Sequence, residues 1–120
     1  MEIATPIPVK ADVPAEMLQQ LDIRVGTIEA VSEVSASGKL VELRVSFGNH
    51  TRQILVGMKR EPANPRELEG RQALFVVNLT PRKMAGMVSE GMLLDIGYAD
   101  GLTPVLAVPE RPVPPGTRAG

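Results

Sequence analysis

Residues 78 to 94 read NLTPRKMAGMVSEGMLL and carry the densest group of side chains that could grip a ligand. Arg82 and Lys83 follow Pro81, which cannot donate to a strand ladder and so marks a strand end. Arginine offers a planar fork for phosphate oxygens, and lysine a mobile point charge. Gly86 lets backbone approach a partner closely, Ser89 supplies a small hydroxyl, and Met92 an adaptable apolar contact. Projecting from a loop at the mouth of a small barrel, these groups suit a phosphate backbone with an exposed base or sugar. The bland alternative is a solvated basic loop in which Met84, Met87 and Met92 are core filler. Lys39, Arg44, Arg52, Lys59 and Arg60 would widen a basic patch, although each by itself reads as solvated.

Other chemistry has little to work with. The one histidine, His50, stands in a Gly-Asn-His turn, and no partner spacing supports a nucleophile–base pair. There are no cysteines, and scattered carboxylates do not make a metal site, so neither a metal nor a cofactor is expected. No glycine-rich phosphate-cradling motif occurs. These readings predict a protein that is not an enzyme.

The 120 residues, 43% hydrophobic and 22% charged, are enough for one globular domain with a real core. A net charge of −1 does not announce a nucleic-acid binder by bulk charge, but a local field acts over a few ångströms whatever the total. No apolar run approaches the roughly 20 residues that span a bilayer, so no membrane is expected as partner. The start lacks the basic and apolar regions of a signal peptide. That, with the missing cysteines, fits a cytoplasmic protein. Phe47, Phe75 and Tyr98 are the only aromatics, so stacking platforms for single strands are largely unavailable and a folded RNA read by backbone and shape is favoured.

The elements that must position the candidate residues follow from periodicity. Residues 1 to 13 read as an extended arm, and residues 14 to 20 as a short helix with Pro14 in its first position. Too short to stand alone, that helix must bury Met17, Leu18 and Leu21 against this domain or a second copy. From Leu21 the period becomes two, slipping at Gly26, which suggests a bulge or bend in a long strand. Val41, Leu43, Val45 and Phe47 alternate with polar residues in a half-buried strand, and residues 51 to 58 return after a hairpin turn. Asn64-Pro65 opens a short helix with a capping box at Glu67. Strands follow at 73 to 79, 91 to 98 and 102 to 108, and the tail RPVPPGTRAG is too rich in Pro and Gly for regular structure. This order predicts an all-β OB-fold. Its five-stranded Greek-key barrel has a short helix between strands 3 and 4 and another at the N-terminus. Residues 1 to 20 form the arm and possible dimer contact, and residues 21 to 120 form the barrel with its C-terminal extension.

LDIRVGTI at 21 to 28, ELEGRQALFVVNLTPRKMAG at 67 to 86, SEGMLL at 89 to 94 and VPPGTR at 113 to 118 together resemble the tRNA-binding OB domain. That domain ends many bacterial methionyl-tRNA synthetases and also occurs as free-standing structure-specific tRNA-binding proteins. The resemblance implies a homodimeric module that holds the outer corner of folded tRNA. It places RNA contact on Lys39, Asn78, Arg82, Lys83, Ser89 and Met92. It also implies tRNA as partner, with an aminoacyl-tRNA synthetase as a second one. The secretion-chaperone branch of the same family is similar in length and also dimeric. Its partners are unfolded polypeptides, and the neutral charge of this chain leans that way. VSASGKLVEL, which lacks the family's usual histidine, acid and aromatic before the second strand, leans that way too.

Overall fold

The computed structural model describes residues 6–57 and 64–120. Met58, Lys59 and Arg60, which the sequence reading placed in the third strand or the basic patch, lie outside the described residues, as do the first five residues of the arm.

An eleven-residue strand, β1 (Ile23–Glu33), is shared between two partners. Its first half pairs with β4 (Gln72–Val76), from Ile23 opposite Val76 to Thr27 opposite Gln72. Its second half pairs with β2 (Val41–Ser46), ending with Glu33 opposite Val41. The two partners lie on opposite edges and overlap at Thr27, and the register with β2 shifts between Ile28 and Ala30. The expected bulge therefore exists, but at Glu29 and not at Gly26. Gly26 is required for another reason: a Cβ there would lie 2.3 Å from Cγ1 of Val45 and 2.9 Å from the Phe47 ring. The backbone of β1 serves as a wall of the core at that point.

Past Thr27, where pairing with β4 ends, that edge of β1 needs substitutes for ladder partners. Ile28 donates to the Arg71 carbonyl at 2.9 Å and accepts from Gly70 at 2.7 Å. The Val31 amide donates to the Glu69 carboxylate at 2.9 Å. The expected helix between the third and fourth strands is a 3-10 turn, Pro65–Leu68, with the Asn64 side chain accepting from the Arg66 amide. The turn is too short to nucleate α-helix, and its purpose is to seat the buried Leu68 under the barrel.

β2 returns through Gly48–His50 into β3 (Thr51–Val56), in register from Val41–Val56 to Ser46–Thr51. After β4 the chain forms a hairpin, β5 (Arg82–Met84) with β6 (Met87–Ser89). Its two turn residues, Ala85 and Gly86, have φ of 50° and 79°, the paired left-handed conformation whose twist suits a two-residue hairpin. Arg82 and Lys83 thus stand on a strand and do not project from a loop. The expected strand over 91 to 98 divides into β7 (Met92–Leu93), paired with β4, and β8 (Asp95–Ile96), paired with β9 (Val105–Leu106). A left-handed Gly97 then turns the chain into a 3-10 turn, Tyr98–Asp100.

The order β3-β2-β1-β4-β7 closes as a five-stranded antiparallel barrel, the OB architecture expected, because β3 meets the residues between β6 and β7. The amide of Glu90 donates to the Gln53 carbonyl at 2.8 Å, and the Gln53 amide to the Glu90 carboxylate at 2.9 Å. Inside, Ile28, Leu43, Ile54 and Phe75 are fully buried, and Phe47 meets Phe75 edge-on at 5.7 Å.

The C-terminal tail is ordered against expectation. β10 (Arg118–Ala119) pairs with Arg24 and Ile23, and the Gly116 amide donates to the Val25 carbonyl at 2.7 Å. The Gln72 side chain grips Val113 twice, at 2.7 and 3.1 Å. Prolines fix φ in advance, so docking this extended tail costs less entropy than docking a flexible one. The N-terminal helix α1 spans Ala15–Gln19, with Pro14 as its cap at an extended ψ of 145° and not as its first helical residue.

Because Gly26 faces side chains across β1–β2, Gly26→Ala is expected to destabilise the barrel by about 1–3 kcal/mol through overpacking. Urea denaturation measures this; a midpoint unchanged from wild type would show that Val45 and Phe47 can move aside.

Candidate nucleic-acid interface

Paired residues of a hairpin share a face, so Arg82 opposite Ser89 and Met84 opposite Met87 lie on one side of β5–β6. Lys83 opposite Val88 lies on the other. Ser89 is 4% exposed and points into the barrel, which turns the Arg82 side inward over an open groove of about 700 Å³. Lys39, Arg82 and Met92 all line that groove, although they come from the β1–β2 turn, β5 and β7. Three of the six expected contact residues therefore meet. Lys83 is exposed on the outer face of the hairpin, beside a half-exposed Val88.

The other two are engaged within the protein. The Ser89 hydroxyl accepts from the Leu55 amide at 3.0 Å and donates to the Gly91 carbonyl at 2.9 Å. The Asn78 side chain accepts from the Asp22 amide and donates to the Gln20 carbonyl, each at 2.7 Å. Ser89 thus fixes the hairpin to β3, and Asn78 ties the end of β4 to the entry of β1. Arg52 is also structural: its guanidinium donates to the carbonyls of Val77 and Glu90 at 2.7 and 3.0 Å and to Nε2 of His50 at 3.1 Å. His50 is more than a solvated turn residue, since it also stacks on Phe47 at 5.6 Å. Arg44 is largely exposed, 3.8 Å from Glu29.

A second cationic group surrounds Asp22. Arg24 forms a two-pronged pair with it at 2.8 and 3.1 Å and stands in register with Arg118. The Arg24 hydrogen bond holds the Asp22 carboxyl below its usual range, helped by the charges of Arg24, Arg118 and Arg52. Among the described residues, Lys39 and Arg82 have no such ion pair. The groove therefore holds two cations without an ion pair, and Lys83 on the outer face of the hairpin is a third. No cluster of three or more His, Cys, Asp or Glu residues suited to a metal occurs among the described residues.

Sequence reasoning missed Tyr98. Of the three aromatics Phe47 and Phe75 are buried, whereas Tyr98 lines the groove at 69% exposure. Only the break of the expected strand at Gly97, a residue free to adopt φ of 105°, could have signalled it.

If Ser89 and Asn78 act by holding the frame, Ser89→Ala strands the buried Leu55 amide and is expected to cost about 1–3 kcal/mol, and Asn78→Ala about 1–2 kcal/mol. Denaturation curves measure both. Loss of RNA affinity in a variant of unchanged stability would instead assign that side chain to direct contact.

The family model described as "Putative tRNA binding domain" matches residues 23–118. The chain is 39% identical to methionine–tRNA ligase of Bacteroides fragilis and 40% identical to that of Archaeoglobus fulgidus, over 92% and 91% of its own length. It spans only 16% of either relative. Among solved structures it is similar to a MetRS-related protein of Pyrococcus horikoshii, with a TM-score of 0.83 and 32% identity over 92% of this chain and all of that one. It is also similar to the chaperone CsaA of Bacillus anthracis, with a TM-score of 0.80 and 30% identity over the same shares. A family match over residues 23–118, most of the barrel, leads to one conclusion: the chain belongs to the tRNA-binding domain family.

Proposed function

We propose that this chain is a non-catalytic, cytoplasmic module that holds the outer corner of folded tRNA by backbone and shape contacts. One observation carries the reading: Lys39 and Arg82, far apart in sequence, line the same groove as the half-exposed Met92. Lys39 and Arg82 take phosphates, Met92 takes an apolar sugar or base edge, and Lys83 adds a contact from the outer face of the hairpin. Asn78 and Ser89 position this edge. An aminoacyl-tRNA synthetase is a further partner under this reading, since the curated relatives are such enzymes.

The module works as a homodimer. No residue of α1 is buried, and Met17, Leu18 and Leu21 are 52%, 58% and 42% exposed. An apolar helix face of this kind is stabilised by covering it, and a second copy offers the same face. Two weak sites on one RNA gain by effective concentration, which a site with so few cations needs.

A chaperone for unfolded polypeptides is the second reading. It is favoured by the likeness to CsaA and by the apolar part of the groove, where Met92, Tyr98 and Leu102 are all exposed.

Binding of folded tRNA measured against salt separates the two. In Arg82→Ala/Lys83→Ala the log–log slope is expected to become shallower by about one to two units, at up to ~0.9 per lost phosphate contact. No wild-type binding even at low salt would sink the tRNA reading. For the dimer, sedimentation of a chain beginning at Leu21 is expected to give a monomer, and a persistent dimer would remove α1 as the essential contact.

A further inference from the structure

The groove contains one element that cation-and-backbone recognition does not use. Tyr98 sits on a short 3-10 turn between two left-handed glycines, Gly97 and Gly101. That turn is held by hydrogen bonds within residues 95–102. The Tyr98 amide donates to the Asp95 carboxylate at 3.2 Å, and the amides of Asp100 and Leu102 both donate to the Gly97 carbonyl at 3.0 Å. The backbone is fixed while the side chain is 69% exposed, so the ring is presented and not merely tolerated. Met92 and Leu102, 46% and 64% exposed, line the same groove.

An aromatic ring with a thioether and an aliphatic side chain in one groove gives a flat apolar object a place to lie. Lys39 and Arg82 make the remaining demand: whatever brings the flat object must bring negative charge with it. Asp95, the acid in the lining, already accepts from the Tyr98 amide, so part of its capacity serves the turn. A nucleotide meets both requirements. An unfolded polypeptide supplies apolar side chains but not the accompanying anionic backbone.

Resting on the proposed RNA-binding reading, we propose that Tyr98 is the stacking surface for one unpaired base of a folded RNA, whose neighbouring phosphates are held by Lys39 and Arg82. The site selects an extruded or loop nucleotide, because a base inside a duplex has no free face to offer.

The chain has one tyrosine and no tryptophan, so its tyrosine emission reports Tyr98 alone. Folded tRNA is expected to quench that emission, after correction for RNA absorbance, while a fully paired RNA duplex of equal length does not. Tyr98→Ala, exposed enough to leave folding intact, is expected to weaken tRNA binding about 5- to 100-fold, the range for loss of one base–aromatic stack. Tyr98→Phe keeps the ring and is expected to stay within about 3-fold of wild type, as stacking needs the face and not the hydroxyl. Unchanged tRNA affinity in Tyr98→Ala overturns this inference while leaving the tRNA reading intact. Equal quenching by the duplex overturns it as well. No binding of tRNA by wild type overturns both, and if reduced, carboxymethylated α-lactalbumin then binds wild type more tightly than Tyr98→Ala, the groove belongs to polypeptide.

Discussion

The barrel has to close with a strand too short to close it. β7 contributes two residues and pairs with β4, leaving the facing edge of β3 without a full ladder partner. An open sheet edge is both a loss of hydrogen bonds and an invitation to aggregation. Side chains complete the closure: the Ser89 hydroxyl takes the Leu55 amide, the Glu90 carboxylate takes the Gln53 amide, and the Gln53 side chain donates to the Val88 carbonyl at 2.9 Å. Gly91 completes the joint, since a Cβ there would stand 3.1 Å from both Ile54 and the Val76 carbonyl. The Ser-Glu-Gly-Met segment is therefore closure hardware first.

The same joint sets the site. Ser89 is the register partner of Arg82, so fixing one end of β6 to β3 fixes where Arg82 stands over the groove. Arg52, anchored on the carbonyls of Val77 and Glu90, ties together the chain segments on either side of the hairpin. The cations divide by the partners they hold. Arg52 and Arg24 are committed to internal partners, whereas Lys39 and Arg82 are without one among the described residues. A net charge of −1 is no obstacle to the proposed phosphate contacts, because screening limits what a phosphate senses to about 8–10 Å.

Much of this was legible in the sequence. The alternation from Val41 to Phe47 marks β2 cleanly because that strand is half-buried along its whole length. The barrel class followed from strand number and the position of the turn at Asn64. What was hidden depended on contacts between distant segments. Gly26 looks like a bulge by phase, but its role is set by Val45 and Phe47 across the sheet. The hairpin carrying Arg82 was read as a loop because Ala-Gly is a weak turn signal beside Asn-Gly, and the Ala85 conformation is imposed by its surroundings. The proline-rich tail reads as irregular until Gln72 and Val25 are brought to it. Ser89 and Asn78 stood out by resemblance, yet residue type alone could not separate a side chain that touches a ligand from one that holds the frame.

That distinction bears on how one scaffold is similar to both a MetRS-related protein and a chaperone. Fold does not fix function; the exposed groups on it do. Ser89 and Gly91 close the barrel, and Asn78 ties the end of β4 to the entry of β1, whichever ligand is bound, so their presence cannot choose between RNA and polypeptide. The choice falls on the groove side chains that the frame does not use. Met92 and Leu102 would serve either ligand, because apolar contact is nearly indifferent to what carries it. Under the proposed reading Lys39 and Arg82 are the discriminating pair: unpaired cations attract a tRNA backbone at every phosphate, and an unfolded chain only where it carries an acidic side chain.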